Sequence, residues 1–279
     1  MRWFEILRKE SRQWIHRNVI CRPELRRRVT RWIEGNRDID VTLFGTPLRI
    51  NTVRENGYLR ASRMAARSSL FGDEAAVLIH LSMLLADGDT FVDVGANVGL
   101  FSRIMARASA VGTGVRGYAF EANPDTFLRL RETLQDLPVE CHCVGLSNAP
   151  GEIEFVDGAV SHVFCATDRQ NEFNIPGERR VIRVARLDSF PIKGDSLILK
   201  IDVEGMEWEA LEGARRFFDG GRVKAVYIDG YSAERPFLPF LKGYGFELMD
   251  GRHLWPEPHI YHSLLAVNRE WVYRREARG

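Results

Sequence analysis

The residues able to do chemistry fall in four short stretches. These are Asp93-Val94-Gly95-Ala96-Asn97-Val98-Gly99, Glu121, Gly145-Leu146-Ser147, and Lys200-Ile201-Asp202-Val203-Glu204. The first joins an apolar run, Phe91 to Val94, to a turn with glycines at 95 and 99. Glycine tolerates positive φ and lets a ligand approach the backbone, and the helix start that follows offers unpaired N–H groups. Glu121 stands 22 residues after Gly99, at the end of a second apolar run. An acid there can accept hydrogen bonds from both ribose hydroxyls of an adenine nucleoside cofactor. Otherwise it is a solvated carboxylate ahead of a helix cap. In the fourth stretch, Lys200, Asp202 and Glu204 alternate and share a face if the strand continues that far.

The turn Gly-Ala-Asn-Val-Gly departs from G-x-G-x-x-G, because no close-packing glycine follows three residues after a second one. A dinucleotide needs that backbone approach for its pyrophosphate, and a cofactor without phosphates does not. S-adenosylmethionine (SAM) therefore fits better than NAD. Its ribose would meet Glu121 and its amino-acid end would lie near Asp93 and the turn. Asp93 would then either attract the ammonium or orient the turn, and Gly145-Leu146-Ser147 would flank the adenine. A carboxylate at Asp202 borders the expected position of a transferable methyl group. It could take a proton from an incoming hydroxyl or orient it, with Glu204 second. The run Glu204 to Glu207 could equally support the following helix electrostatically. His162 is an alternative base or a structural histidine. A divalent ion on Asp202, Glu204 and Asp229 is conceivable, but no His or Asp spacing demands it.

These stretches must be held by regular elements. From Asp73 the pattern alternates: a helix from Glu74 to Leu85, a strand Thr90–Val94, a helix to about Ala108, and a strand Val115–Phe120. Asn123 and Pro124 then open a helix to about Leu134. Strands at Val139–Val144, Leu197–Ile201, Lys224–Ile228, Phe246–Met249 and Ser263–Asn268 follow, with helices over about 207–218 and 233–241. Segments 151–156 and 180–186 alternate as β structure around an irregular stretch, 157–179. Alternating strands and helices imply a parallel sheet with helices on both faces, and ligands bind such sheets at the carboxyl ends of the strands. Every cluster named above lies at a strand end.

Ahead of this region, residues 1–34 read as two helices broken at Pro23. Residues 40–53 read as a hairpin turning at Gly45-Thr46-Pro47, and 55–70 as a helix or lid. The expected division is 1–70 as a helical and hairpin extension and 71–279 as the catalytic domain. The 279 residues carry 39 Lys and Arg against 38 Asp and Glu, so no global field argues for nucleic acid. Residues 1–37 hold eleven Arg or Lys against four Glu, about +7. Their aromatic face could lie on an anionic membrane surface, as a peripheral contact, or pack on the domain. The four cysteines show no metal spacing and fit reduced thiols in a cytoplasmic protein. No apolar run approaches a membrane span, and the N-terminus has no apolar signal region.

Phe91–Gly99, Phe120-Glu121-Ala122-Asn123-Pro124, Gly145-Leu146-Ser147, Arg186-Leu187-Asp188-Ser189-Phe190 and Leu199–Glu207 occur in an order and spacing that resembles the FkbM family of SAM-dependent methyltransferases. The resemblance covers about residues 70–268. It implies a Rossmann-like class I methyltransferase fold, α/β, with a seven-stranded, mostly parallel sheet whose last strand is antiparallel. It also implies O-methylation of a hydroxyl on a sugar, glycolipid, glycan or secondary metabolite. The expected cofactor contacts are Asp93, Gly95, Ala96, Asn97, Gly99, Glu121, Ala122, Gly145, Leu146, Ser147 and Asp202. The candidate catalytic residues are Asp202, Glu204 and His162. Ala122 departs from the family pattern, where many relatives carry Pro. The rival readings are an NAD-dependent oxidoreductase on the same sheet and a non-catalytic SAM-binding protein that uses the basic N-terminal helices for interaction.

Overall fold

In the computed structural model, residues 23–64, 69–108, 115–158, 161–163, 177–261 and 263–271 are described. Helix α1 (Pro23–Glu34) precedes a hairpin of β1 (Asp38–Leu43) and β2 (Thr46–Asn51), then α2 (Asn56–Met64) and α3 (Ser69–Leu84). The expected first helix lies outside the described residues. The hairpin turns on Phe44 and Gly45, at φ +50° and +70°, rather than on residues 45–47. Two left-handed residues match the twist of the paired strands, and Pro47 sits in β2 opposite Thr42.

The remaining elements are β3 (Thr90–Val94), α4 (Leu100–Ala108), β4 (Arg116–Glu121), α5 (Pro124–Leu134), β5 (Val139–Cys143), β6 (Gly145–Leu146), β7 (Gly151–Gly158), β8 (Ser161–Val163), β9 (Gly177–Ala185), β10 (Leu197–Ile201), α6 (Glu207–Glu212), α7 (Arg215–Asp219), β11 (Val223–Asp229), α8 (Phe237–Gly243), β12 (Phe246–Asp250) and β13 (Ser263–Asn268). The main sheet has the order β12-β13-β11-β10-β3-β4-β5. Strands β11, β10, β3, β4 and β5 pair in parallel, and β13 pairs antiparallel with both β11 and β12. This is the seven-stranded class I methyltransferase arrangement, and the strand order reverses between β3 and β10.

Side-chain alternation along the buried strands builds two cores. Val92, Val94, Leu199 and Ile201 pack with Leu211, Phe217 and Phe237 on one face. Phe91 and Ile198 pack with Leu78, Leu81, Phe101, Met105 and the hairpin's Leu48 and Ile50 on the other. The expected single helix over 207–218 is two helices, α6 and α7. They meet at Gly213, where a Cβ would stand 2.2 Å from the Ser147 carbonyl oxygen. Helix α8 begins at Phe237, not near residue 233, with Pro236 at its N-cap.

A second sheet, β6-β9-β7-β8, stands beside the first. It takes up both ends of the stretch expected to be irregular, because β7 extends to Gly158, β8 covers Ser161–Val163 and β9 begins at Gly177. Residues 164–176 lie outside the described set. Cys141 and Cys143 are free thiols, and burial pushes Cys141 up to about 11. Among the described residues, no helix is long and apolar enough to cross a membrane.

Candidate active site

The glycine turn is built by contacts that no local sequence rule contains. Gly95 has φ +77°, and a Cβ there would lie 1.8 Å from the Asp202 carbonyl oxygen. The Gly95 and Ala96 amides donate to the Phe120 carbonyl at 3.0 and 2.9 Å, and the Asp202 amide donates to the Val94 carbonyl at 3.0 Å. The ends of β3, β4 and β10 are thereby fixed against one another. Gly99 serves packing: its Cβ would meet Leu130 at 2.8 Å.

Asp93 is fully buried, and its Oδ2 accepts from the Ser102 amide at 3.1 Å and from the Ser102 hydroxyl at 2.7 Å. It thus satisfies an orphan donor in the first turn of α4. Lys200, opposite Asp93 in the sheet register, places Nζ 3.4 Å from Asp93 Oδ1 and 3.2 Å from Asp202 Oδ2. It also donates to the Gly95 carbonyl at 3.0 Å. Burial opposes a charged amine, but Asp202, Asp93 and Glu74 hold Lys200 well above the usual range. One cation therefore joins the glycine turn, the acid of β3 and the acid after β10. Asp93 does not line the cleft, so its position is that of an orienting group.

A cleft of about 240 Å³ opens at the carboxyl ends of the strands. Gly95, Asn97, Glu121, Ala122, Gly145, Leu146, Asp202 and Glu204 line it, together with Val203 and Met206. Ala96, Gly99 and Ser147 do not. Ala96 is buried against α5, and the Ser147 amide donates to the Ala185 carbonyl at 2.9 Å behind the cleft. His162 stands in β8 opposite Val156, and its side chain lies outside the described set.

Glu121 is held at both carboxylate oxygens by backbone amides. Its Oε2 accepts from the Asn97 amide at 2.9 Å and its Oε1 from the Asn123 amide at 2.8 Å. Each carboxylate oxygen retains a lone pair. Burial raises its pKa to about 7, against the opposing effect of the two amides. Asn97, at φ +50°, lines the same wall, and its Oδ1 is buried without a hydrogen-bond partner. Asn123 caps α5, accepting from the Asp125 and Thr126 amides. Glu204 sits at φ +53° and is exposed, so Lys200, Asp202 and Glu204 do not continue one strand face. Glu207 accepts from the Gly205 amide at 2.8 Å, and burial raises it to about 7.

Several lining residues escape sequence reasoning. Glu55, Tyr58 and Leu70 come from the weakly patterned stretch before the core, and Ile153, Ile182 and Val184 come from the second sheet. Glu74 is another. With Lys200, Asp202, Tyr227, Asp229 and Arg252 it surrounds a small cavity that shares Asp202 with the cleft. Burial and the nearby Asp202 raise Glu74 to about 8, and burial also raises Asp229. Burial drives the Tyr58 phenol well above its ordinary range. An Asp-Glu pair opening an apolar helix reads as an ordinary helix start, which conceals Glu74. Among the described residues no group of three or more His, Cys, Asp and Glu is arranged to hold a metal ion.

The Methyltransferase FkbM domain matches residues 93–248. The hexuronic acid methyltransferase AglP of Haloferax volcanii is 30% identical over 156 residues, 52% of this chain and 57% of that protein. The chain thus spans under two thirds of that relative's length. Among solved structures, methyltransferase FkbM from Methylobacillus flagellatus KT is 19% identical, with a TM-score of 0.46, over 68% of this chain and 47% of that one. The TehB-like SAM-dependent methyltransferase of Corynebacterium glutamicum is 15% identical, with a TM-score of 0.40, over 77% and 96%. The domain match runs from Asp93 through the glycine turn, Glu121 and the Asp202 corner to β12, more than half of the sequence, and the chain belongs to the FkbM methyltransferase domain family.

Proposed function

We propose that this protein is a SAM-dependent O-methyltransferase acting on a hydroxyl of a sugar-containing acceptor. The observation that carries the reading is Glu121. It is clamped by two backbone amides at the carboxyl end of β4, with a spare lone pair on each oxygen, in the same cleft as the Asp202 corner. The cleft fits the cofactor in three further respects. Asn97 Oδ1 is a buried acceptor without a partner. Leu146, Ile153, Ile182 and Val184 give an apolar wall for a flat ring. Asp202 and Glu204 supply negative charge where a sulfonium is expected. The hexuronic acid relative supports a sugar as acceptor.

Bound SAM would supply an electrophilic methyl group for displacement by the acceptor oxygen. The chain's own part is positioning and proton handling. Glu121 would accept from the ribose hydroxyls. Asp202, held by Lys200, would orient the acceptor hydroxyl and take its proton. Glu74, on the far side of Asp202, titrates near 8, so it could receive that proton only in its deprotonated form, above about pH 8. Tyr58 keeps its phenolic proton and can donate to the acceptor.

The test is transfer of radiolabelled methyl from SAM to fractionated sugar-containing extracts, with calorimetric titration of SAM and NAD. Labelled product that loses the label on O-demethylation is expected. NAD binding without SAM binding would overturn the reading. Asp202→Asn is expected to lower kcat about 10²- to 10⁴-fold while SAM affinity stays within a few-fold. Full turnover in that variant would remove Asp202 from its role.

A further inference from the structure

Helix α1 is amphipathic, but it meets the protein with its polar side. At 100° per residue, Arg27, Thr30 and Glu34 share one face. The Thr30 hydroxyl accepts from Asn56 Nδ2 at 2.6 Å, Glu34 pairs with Arg63 at 2.5 Å, and Arg27 borders the cleft. Leu25, Val29, Trp32 and Ile33 occupy the opposite face. Trp32 is 86% exposed, Ile33 63% and Leu25 37%. Arg26 and Arg28 flank this ridge on either side. A helix of a globular protein ordinarily turns its apolar stripe to the core, and here it faces away.

Charge selects what covers the ridge. Residues 23–37 carry five Arg against two Glu, +3, and residues 1–22 carry six Arg or Lys against two Glu, +4. Folding residues 1–22 onto the ridge would juxtapose like charges, and so would a second copy of α1. An anionic lipid surface offers an apolar layer for Trp32 and Ile33 and opposite charge for the arginines. We propose that the outward apolar face of α1, with its flanking arginines, docks this protein on an anionic phospholipid surface. Because Arg27 on the inner face borders the cleft, docking holds the cleft mouth beside the bilayer. An acceptor displayed on a lipid could reach it there. That last consequence rests on the methyl-transfer reading, whereas the docking does not.

The experiment is co-sedimentation of the full chain with vesicles of phosphatidylcholine, alone or with about one third phosphatidylglycerol. Salt is varied from about 0.05 to about 0.5 M, which shortens the screening length severalfold. Binding at least tenfold stronger to the anionic vesicles, falling with salt, is expected. Trp32→Ser/Ile33→Ser should weaken it at least tenfold, since each loses a buried apolar group. Arg26→Gln/Arg28→Gln should flatten the salt dependence. Trp32, Ile33 and Arg28 are exposed and Arg26 is half-buried, and unchanged melting and SAM titration check folding and site separately from docking. No binding at low salt, equal binding to both vesicles, or wild-type binding by the Trp32/Ile33 variant overturns the proposal. A dimer that this variant dissolves would assign the ridge to a second copy and overturn it too. New protease cleavage within residues 1–22 of the variant would assign the ridge to that segment, which likewise overturns lipid docking.

Discussion

At the scale of single residues, the site depends on positions where no side chain fits and where a carboxylate has its lone pairs allotted. Gly95→Ala puts a carbon into the Asp202 carbonyl at positive φ. It is expected to cost about 3 kcal/mol or more in denaturant unfolding and to abolish SAM binding by calorimetry. Gly45→Ala is the control: φ is also positive, but nothing lies within 4 Å, and a cost of about 1 kcal/mol with binding intact is expected. Glu121 supplies a pH test. Its pKa stands at about 7, and only the deprotonated form can accept from two hydroxyls while also serving two amides. SAM affinity should therefore fall as pH drops below about 7, approaching tenfold per unit, and calorimetry between pH 8 and pH 5.5 measures it. That Glu121 and Gly95 meet at the cleft is legible in the sequence, because each ends an apolar run that reads as a core strand. The roles of Asp93 and Ser147 are not. Asp93 depends on Ser102, and Ser147 on Gly213 across the fold, and neither pairing has a local signature.

Among the elements, the parallel core strands and α5 follow from apolar runs and an Asn-Pro cap, and the structure keeps them within a residue or two. Elements whose shape is set by a neighbour depart further: α6 and α7 break where Gly213 meets Ser147, and β7 extends because β9 pairs with it. Helix α3 carries an element-scale prediction. Glu74, in its second turn, lies beside Asp202 and titrates near 8 in the folded chain, against 4.5 when exposed. The folded state then binds more protons than the unfolded one between those values, so this residue makes stability fall as pH rises through that window. Glu74→Gln should flatten the decline and stabilise the protein at pH 8 by on the order of 1–3 kcal/mol, read from urea unfolding at pH 5 and pH 8. An unchanged pH slope would show that the acid does not carry the burial cost.

For the whole molecule, the cleft draws on three regions: the strand ends of the large sheet, the second sheet, and the segment from α1 to α3. A ligand that needs all three binds the folded chain and not the unfolded one. SAM at about 100 times its Kd should add about 2.7 kcal/mol and raise Tm by several degrees, with the rise growing as the logarithm of concentration. NAD should give no such shift. The first region can be anticipated from strand periodicity, and so can the hairpin and α3 of the third, whereas α2 is weakly patterned because the stretch around it divides its residues between the cleft (Glu55, Tyr58) and the core (Leu59, Ala61). The bond from Lys200 to the Gly95 carbonyl has a consequence in time as well as space. It joins residues 105 apart, so the turn gains its final form only after a long loop closes. A nascent chain that has emerged as far as α5 already holds the glycines and Glu121. It lacks the carbonyl that shapes the turn and the amine that anchors it, so synthesis must pass β10 before the cofactor can be captured.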